Sequence, residues 1–236
     1  MIALRSLLFN LVMFVSVLIY APLMLPTALL PYPLRYRLIS QWARFQVFLL
    51  KTLCRLDYRV EGLEHLPPGA AILLSKHQSA WETIAFQQIF PAQTWVLKRE
   101  LMWIPLFGWA LALTRPIAID RGAGRKAVEA VVTQGRERLQ SGIWVVVFPE
   151  GTRVAPGTRK RYAMGGAILA AETGYPVVPV AHNAGSFWLR RGFLKKPGTV
   201  RVVIGPTINP RGRKAEEIIK QVEEWIEGRM VELERS

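Results

Sequence analysis

The sequence predicts an α/β fold: a mixed, largely parallel sheet flanked by helices, with an N-terminal membrane-embedded helical segment ahead of it. Three observations carry this expectation. After Asp57, short runs rich in β-branched residues alternate with stretches of helical period, the pattern of strand–helix units. At 236 residues the chain is long enough for one sizeable core and short for two. From Ser6 to Leu34 there is no charged residue, a length beyond the roughly 20 residues that a helix needs to cross a bilayer.

In chain order, residues 1–56 are expected to form a membrane-associated helical hairpin and interfacial helix, and residues 57–236 the α/β domain. Pro22, Pro26, Pro31 and Pro33 break or kink the second half of the uncharged stretch, because each lacks an amide donor and crowds the preceding turn. That favours a segment that dips into the membrane and returns. A single spanning helix is the competing reading, but the carbonyls its prolines free would need cover from protein or water. A cleaved leader fits poorly, since the stretch exceeds the roughly 7–15 residues of a signal core and lacks a small-x-small site. In "ISQWARFQVFLLKTLC" (39–54), Arg44 and Lys51 are expected on one side and Trp42, Phe45, Phe48 and Leu49 on the other, as in a helix lying in the interface. Arg35, Arg37, Arg44, Lys51 and Arg55 outweigh Arg5, so the positive-inside bias places the rest of the chain in the cytoplasm.

Strands are expected at 58–61, "AAILLS" (70–75), "TWVLK" (94–98), "IAI" (117–119), "IWVVVF" (143–148), "VVPVA" (177–181) and "VRVVIG" (200–205). Each is a short β-rich or apolar run, and turn residues separate several of them from the helices between. The clearest helices are 79–89, 125–140 and 163–173, and a last one from about 214 to 234 has Ile218, Ile219, Val222, Trp225, Ile226 and Leu233 on one face. The dense basic loop "RRGFLKK" (190–196) reads as solvated charge or as a contact to anionic membrane lipids.

A net charge of +14 and a pI near 10.5 imply an acidic partner: an anionic membrane, a phosphorylated substrate or nucleic acid. With 51% hydrophobic residues and no aromatic-basic recognition motif, nucleic acid is disfavoured. The single cysteine, Cys54, rules out an internal disulfide and a thiolate metal cluster and suits a reducing compartment. No metal or cofactor site is readable.

"SKHQSAWETI" (75–84) places His77 between the end of a strand and the start of a helix, where ligands bind in open α/β sheets. Two accounts of Glu82 stand side by side. Ser79 to Glu82 has the form of a capping box, with Glu82 reaching back to the Ser79 amide. Alternatively Glu82 holds His77 as a base. On one continuous helix the two side chains would point about 140° apart, so they meet only if His77 precedes the helix. His65 and His182 have no carboxylate so placed and read as structural or surface histidines. In "VVVFPEGTR" (145–153) a buried strand enters a turn containing Pro149 and Gly151, leaving Glu150 and Arg153 at its C-terminal end. Arg153 offers a planar fork to phosphate or carboxylate, and Gly151 lets backbone amides approach an anion. "IAIDRG" (117–122) similarly ends a strand with Asp120 and Arg121, which a local ion pair would equally explain.

Together these stretches resemble the glycerolipid acyltransferase family, and within it the bacterial 1-acylglycerol-3-phosphate acyltransferases. The blocks are His77 to Glu82, "KREL…IPLFGW…IAIDR" across 98–121, "FPEGTR" at 148–153 and "VVPV" at 177–180, and the likeness spans about 57–206. The chain departs from the family in having Glu82 where Asp is common, and in reading "TRPIAIDR" where a Gly often precedes Ile-Asp-Arg. The resemblance implies transfer of an acyl group from acyl-CoA or acyl carrier protein to the sn-2 hydroxyl of lysophosphatidic acid, forming phosphatidic acid, without a cofactor. It further implies catalysis by His77 and Glu82, with Lys98, Arg121, Glu150, Gly151, Thr152 and Arg153 around the phosphate headgroup. Imidazole, with a pKa near 6.5, suits removal of a hydroxyl proton at neutral pH. The resemblance implies that the nucleophile is the acceptor's own hydroxyl; the lack of a G-x-S-x-G elbow and the position of Cys54 in the membrane-facing segment disfavour a covalent acyl-enzyme. Two other readings remain: another lysolipid acceptor, or a non-catalytic membrane-binding protein that keeps the fold.

Overall fold

The computed structural model describes residues 1–235. Helix α1 (Ile2–Met24) carries Pro22 in its last turn, and Pro26 falls in the short 3-10 stretch Leu25–Leu29. Helix α2 (Tyr32–Cys54) begins at Pro31 and Pro33, seven residues ahead of the expected start at 39. Proline is tolerated in a first helical turn, where no intrahelical partner awaits its missing amide. The prolines therefore concentrate in the reversal. The two helices lie side by side: the Tyr20 hydroxyl donates to the Leu38 carbonyl (2.7 Å), and Trp42 Nε1 and Gln46 Nε2 donate to Ser16 Oγ (3.0 and 2.9 Å).

The expected separation of charges from aromatics along α2 is corrected by the structure. Phe45 and Phe48, 43% and 60% exposed, share the outward face with Arg44 and Lys51. Ala43, Gln46, Val47 and Leu50 are the buried residues, because they sit on the stripe that meets α1 and the sheet.

Seven strands follow: β1 (Leu56–Glu61), β2 (Ile72–Ser75), β3 (Gln93–Lys98), β4 (Ile117–Ile119), β5 (Trp144–Val147), β6 (Val177–His182) and β7 (Gly198–Ile204). They form one sheet in the order β1-β7-β6-β2-β5-β3-β4, parallel throughout except for the antiparallel pair β6–β7. Strands β2 and β5 are buried at every position, which is why they read as unbroken apolar runs rather than alternating ones. The helices are α3 (Trp81–Ile89), α4 (Phe107–Ala112), α5 (Arg125–Gln140), α6 (Gly165–Thr173), α7 (Ala184–Phe187) and α8 (Ala215–Leu233). The short α4 and α7 were not anticipated; neither is long enough to show a helical period.

The core has two halves, one on each face of the sheet. One joins Phe9, Tyr36, Val47 and Leu50 of α1 and α2 to Leu73, Trp81, Phe86 and Val146. The other packs α5, α6 and α8 through Val131, Leu169, Ile218 and Val222 against Ile72, Leu74 and Val147. The close approach of α6 requires a glycine: a Cβ built on Gly166 would stand 2.6 Å from the Leu74 side chain.

Candidate active site

Because β2 stops at Ser75 and α3 starts at Trp81, residues 76–80 form a loop and His77 precedes the helix. The two side chains therefore meet: His77 Nδ1 lies 2.8 Å from Glu82 Oε1. The same oxygen accepts the backbone amides of Gln78 (2.9 Å) and Ser79 (2.8 Å), while Ser79 Oγ accepts the Trp81 amide (3.1 Å). The helix-entry bonds and the histidine contact are thus not alternatives, since one oxygen makes both. With Nδ1–H donating to Glu82, the nitrogen left to accept a proton is Nε2, which has no hydrogen-bond partner among the described residues.

The turn after β5 grips the His77 peptide from both sides. Its N–H donates to Glu150 Oε2 (2.8 Å), and its carbonyl accepts the Val154 amide (2.8 Å). The imidazole stacks on Phe148, with ring centroids 3.9 Å apart and planes 13° from parallel. Burial lowers the His77 pKa from its ordinary value, and although Glu82 raises it, Arg153 and Arg121 lower it further. The ring is therefore neutral at pH 7. For Glu82, burial pushes the pKa up, but the histidines 182 and 77 and the Ser79 amide pull it below the usual carboxylate range, and it stays ionised. His182 is itself fully buried and structural: its Nε2 lies 2.9 Å from the Lys76 carbonyl, and its Nδ1 accepts the Ala184 amide at 3.3 Å. His65 Nδ1 lies 2.9 Å from the Ile204 carbonyl and is also a structural contact.

A groove of about 560 Å³ opens beside His77. Its walls are apolar and include Met13, Phe14 and Val17 of α1, together with Trp42 and Trp95; its polar lining includes His77, Lys98, Arg121 and Arg153. Val17, Trp42 and Trp95 also line a smaller, almost wholly apolar pocket of about 100 Å³. Arg121 pairs with no acid among the described residues, because Asp120 turns to Arg99 (3.4 Å) and to the Gly122 amide (2.9 Å). Arg153 leaves its buried Nε without a partner. Lys98 is half-exposed and pairs with Glu100 (2.8 Å).

The structure does not bring the other residues expected at the headgroup into this groove. Glu150 is 2% exposed and sits behind the loop, where its Oε1 is 2.7 Å from Lys76 Nζ. That ammonium is also 2.8 Å from Glu227 Oε1 on α8, which accepts the Tyr162 hydroxyl at 2.9 Å. Burial pushes the Glu150 pKa up to about 7, against the pull of Lys76. Gly151 takes a left-handed φ of +65°, which a side chain would strain, and lines a separate cavity together with Glu150. Thr152 is half-buried in the same turn.

Sequence reasoning did not single out Lys76, Phe148, Tyr162 or Glu227. Only Glu227 carried a signal, as an acid next to Ile226 on the apolar face of the last helix.

The chain is similar to known proteins. A model of the Acyltransferase family matches residues 57–183. The 1-acyl-sn-glycerol-3-phosphate acyltransferase of Pseudomonas aeruginosa is 42% identical over 236 residues, spanning 98% of this chain and 92% of its own. The protein of the same name from Limnanthes alba is 30% identical over 184 residues, 77% of this chain and 65% of its own. The crystal structure of the 1-acyl-sn-glycerophosphate acyltransferase PlsC from Thermotoga maritima has the same fold, with a TM-score of 0.83 over 100% of this chain and 97% of that one at 24% identity. With the family model matching across β1 to β6 and a relative this similar over nearly its whole length, the chain belongs to the acyltransferase family.

Proposed function

We propose that the chain is a 1-acylglycerol-3-phosphate O-acyltransferase, taking a fatty acyl group from acyl-CoA or acyl carrier protein and forming phosphatidic acid, with His77 as general base. The observation that carries this reading is the 2.8 Å contact between His77 and Glu82, beside a groove that is apolar along its walls and cationic near His77. Neutral Nε2 takes the proton of the acceptor's sn-2 hydroxyl as its oxygen attacks the thioester carbonyl. The tetrahedral species then expels the thiolate, which takes the proton back from the imidazolium. Glu82 holds Nδ1–H throughout and offsets the transient positive charge. Arg121 and Arg153, with Lys98 beside them, face the phosphomonoester dianion. Glu150 acts through the His77 amide rather than on substrate, and the Gly151–Thr152 turn sets the positions of Glu150 and Arg153. The test is phosphatidic acid formation by purified protein in detergent, with labelled oleoyl thioester and a panel of lysolipids. Lysophosphatidate should be preferred, and His77→Ala should cost at least about 100-fold in turnover. Preference for a lysolipid without a phosphomonoester, or a His77→Ala rate near wild type, would refute the assignment.

The same reading places residues 1–56 as the attachment segment, in the cytoplasmic leaflet of the inner membrane, and residues 57–236 as the reacting domain. Ile2–Leu29 is long and apolar enough to enter a bilayer, with a mean hydropathy of 2.2, and is mostly exposed. Of its prolines, Pro22 lies in the last turn of α1 and Pro26 in the reversal that follows, as a hairpin needs. Met13 and Phe14 of α1 also wall the groove, so a lysolipid held in that leaflet has a short path to His77. In an Ala3→Cys, Cys54→Ser protein, labelling by an impermeant maleimide from the periplasmic side of intact cells would replace the hairpin with a spanning helix.

A further inference from the structure

The mechanism leaves a second cavity unused. It encloses about 360 Å³ and has Val96, Val131 and Val147 in its lining, together with Arg121, Lys160 and Arg161. Lys160 and Arg161 are exposed, and neither has a partner among the described residues. Their segment is nonetheless fixed at three points. The Tyr162 hydroxyl reaches Glu227 (2.9 Å), the Ala163 amide donates to the Pro149 carbonyl (2.8 Å), and Lys76 Nζ reaches the Thr158 carbonyl (3.4 Å). Gly124 and Gly151 line the cavity with open space where a Cβ would stand, so backbone as well as cations is accessible to a ligand. Glu150, the acid in the lining, is already held by Lys76. What remains unpaired is positive, and its ligand is an anion.

Val96, Arg121 and Phe148 line both this cavity and the apolar groove, and Phe148 is the residue on which His77 stacks. The groove takes a wall from α1, whereas the cavity is lined from α5 and α6 on the other face of the sheet. A ligand lying across this junction has an apolar chain on one side of its reactive carbon and a polar, anionic arm on the other. An acyl thioester has that form. The lysolipid does not need it, because its phosphate lies close to its reacting hydroxyl and is served by Arg121 and Arg153 in the groove.

We propose that the cavity holds the phosphate-ended pantetheine arm of the acyl donor, the chemistry that acyl-CoA and acyl carrier protein share, with Lys160 and Arg161 at its phosphate. This rests on the acyl-transfer reading above. The test compares oleoyl-4′-phosphopantetheine with oleoyl-pantetheine, which differ by the phosphate alone, in wild type and in the Lys160→Ala, Arg161→Ala double variant; oleoyl-CoA and oleoyl carrier protein serve as the two natural sources. Wild type should favour the phosphorylated donor by about 10-fold in kcat/KM, a charge-assisted contact discounted for solvent screening. The double variant should lose most of that preference and show a raised KM for both natural donors. Its rate with oleoyl-pantetheine and its KM for lysophosphatidate should be unchanged. A preference that survives in the variant, or is absent in wild type, overturns the proposal. So does a raised KM for lysophosphatidate, which would give the cavity to the acceptor, or a defect confined to carrier protein, which would make the cations a docking surface for an acidic protein. In each of those outcomes wild type still forms phosphatidic acid; failure of the acyl-transfer reading itself would show as no product with any donor.

Discussion

Replacing Glu82 by Gln separates the electrostatic role of this carboxylate from its role in starting α3. Oε1 accepts His77 Nδ1–H and the amides of Gln78 and Ser79, whereas Oε2 is buried without a partner. Two backbone N–H groups facing one site fix the orientation of the amide: its oxygen stays where Oε1 was, and its NH2 takes the place of Oε2. All three hydrogen bonds survive, and His77 keeps the tautomer with Nε2 free. What is lost is the charge opposite the imidazolium. Two unit charges about 4 Å apart at an effective dielectric of about 20 interact by about 4 kcal/mol, which sets an upper bound near 10³-fold in rate. Turnover should therefore fall by about 10²–10³-fold, less than the roughly 10⁴-fold loss known where an Asp→Asn change also reverses the histidine tautomer. The NH2 replaces an oxygen that is already unpartnered, so the melt should change little. The assay is turnover at saturating lysophosphatidate and oleoyl-CoA, with a thermal melt on the same preparation. A folded Glu82→Gln protein with near-normal turnover would leave Glu82 as a helix-entry residue only, and the proposed base would lose its partner.

Arg121→Ala and Arg153→Ala should each raise the apparent KM for lysophosphatidate, by removing a contact worth roughly 1.5–3 kcal/mol. Lysophosphatidylcholine is the control, and equal losses on both acceptors would dismiss the phosphate clamp. In a kcat–pH profile, activity should fall as pH drops through a pKa below the ordinary imidazole value, because the base works only when neutral and burial depresses its pKa. Arg153→Ala should move that inflection upward, since the guanidinium is one of the groups holding it down; a shift to lower pH would contradict the assignment. Glu150 titrates higher in the folded chain, at about 7, than its ordinary value of 4.5, so the folded state holds the extra proton and wild type loses stability as pH rises between them. The melting temperature of wild type minus that of Glu150→Gln should accordingly shrink from pH 5 to pH 8, and a difference that widens with pH would refute the burial argument.

The chemistry of individual segments was legible without coordinates. Buried parallel strands are unbroken apolar runs, so "IWVVVF" and "AAILLS" identified themselves, with the strands proper at Trp144–Val147 and Ile72–Ser75. The helical period placed α5 to its end residues and α8 to within one. The face of α2 was misjudged because amphipathicity was read against solvent alone. The inward stripe is chosen by what packs on it, and here α1 and the sheet take Ala43, Gln46, Val47 and Leu50, leaving Phe45 and Phe48 outside with the cations.

What the sequence determined by itself was local: which residue types lie at the ends of strands, where helices start, that His77 precedes one of them, and that an uncharged stretch broken by prolines opens the chain. Its motifs also carried the family. The division of labour among those residues was decided only by tertiary structure. Glu150 and Arg153 are three residues apart in one motif, yet one turns inward to Lys76 and the His77 amide while the other lines the groove. Lys76, Glu150 and Glu227 come together from a loop, a turn and the last helix, separated by up to 151 residues, and the helix-entry bonds and the His77 contact of Glu82 share one oxygen. The physical reason is that backbone geometry and hydrophobic period act over a few residues, whereas a hydrogen bond or ion pair depends on where the folded chain puts its partner. Nothing in spacing encodes that position.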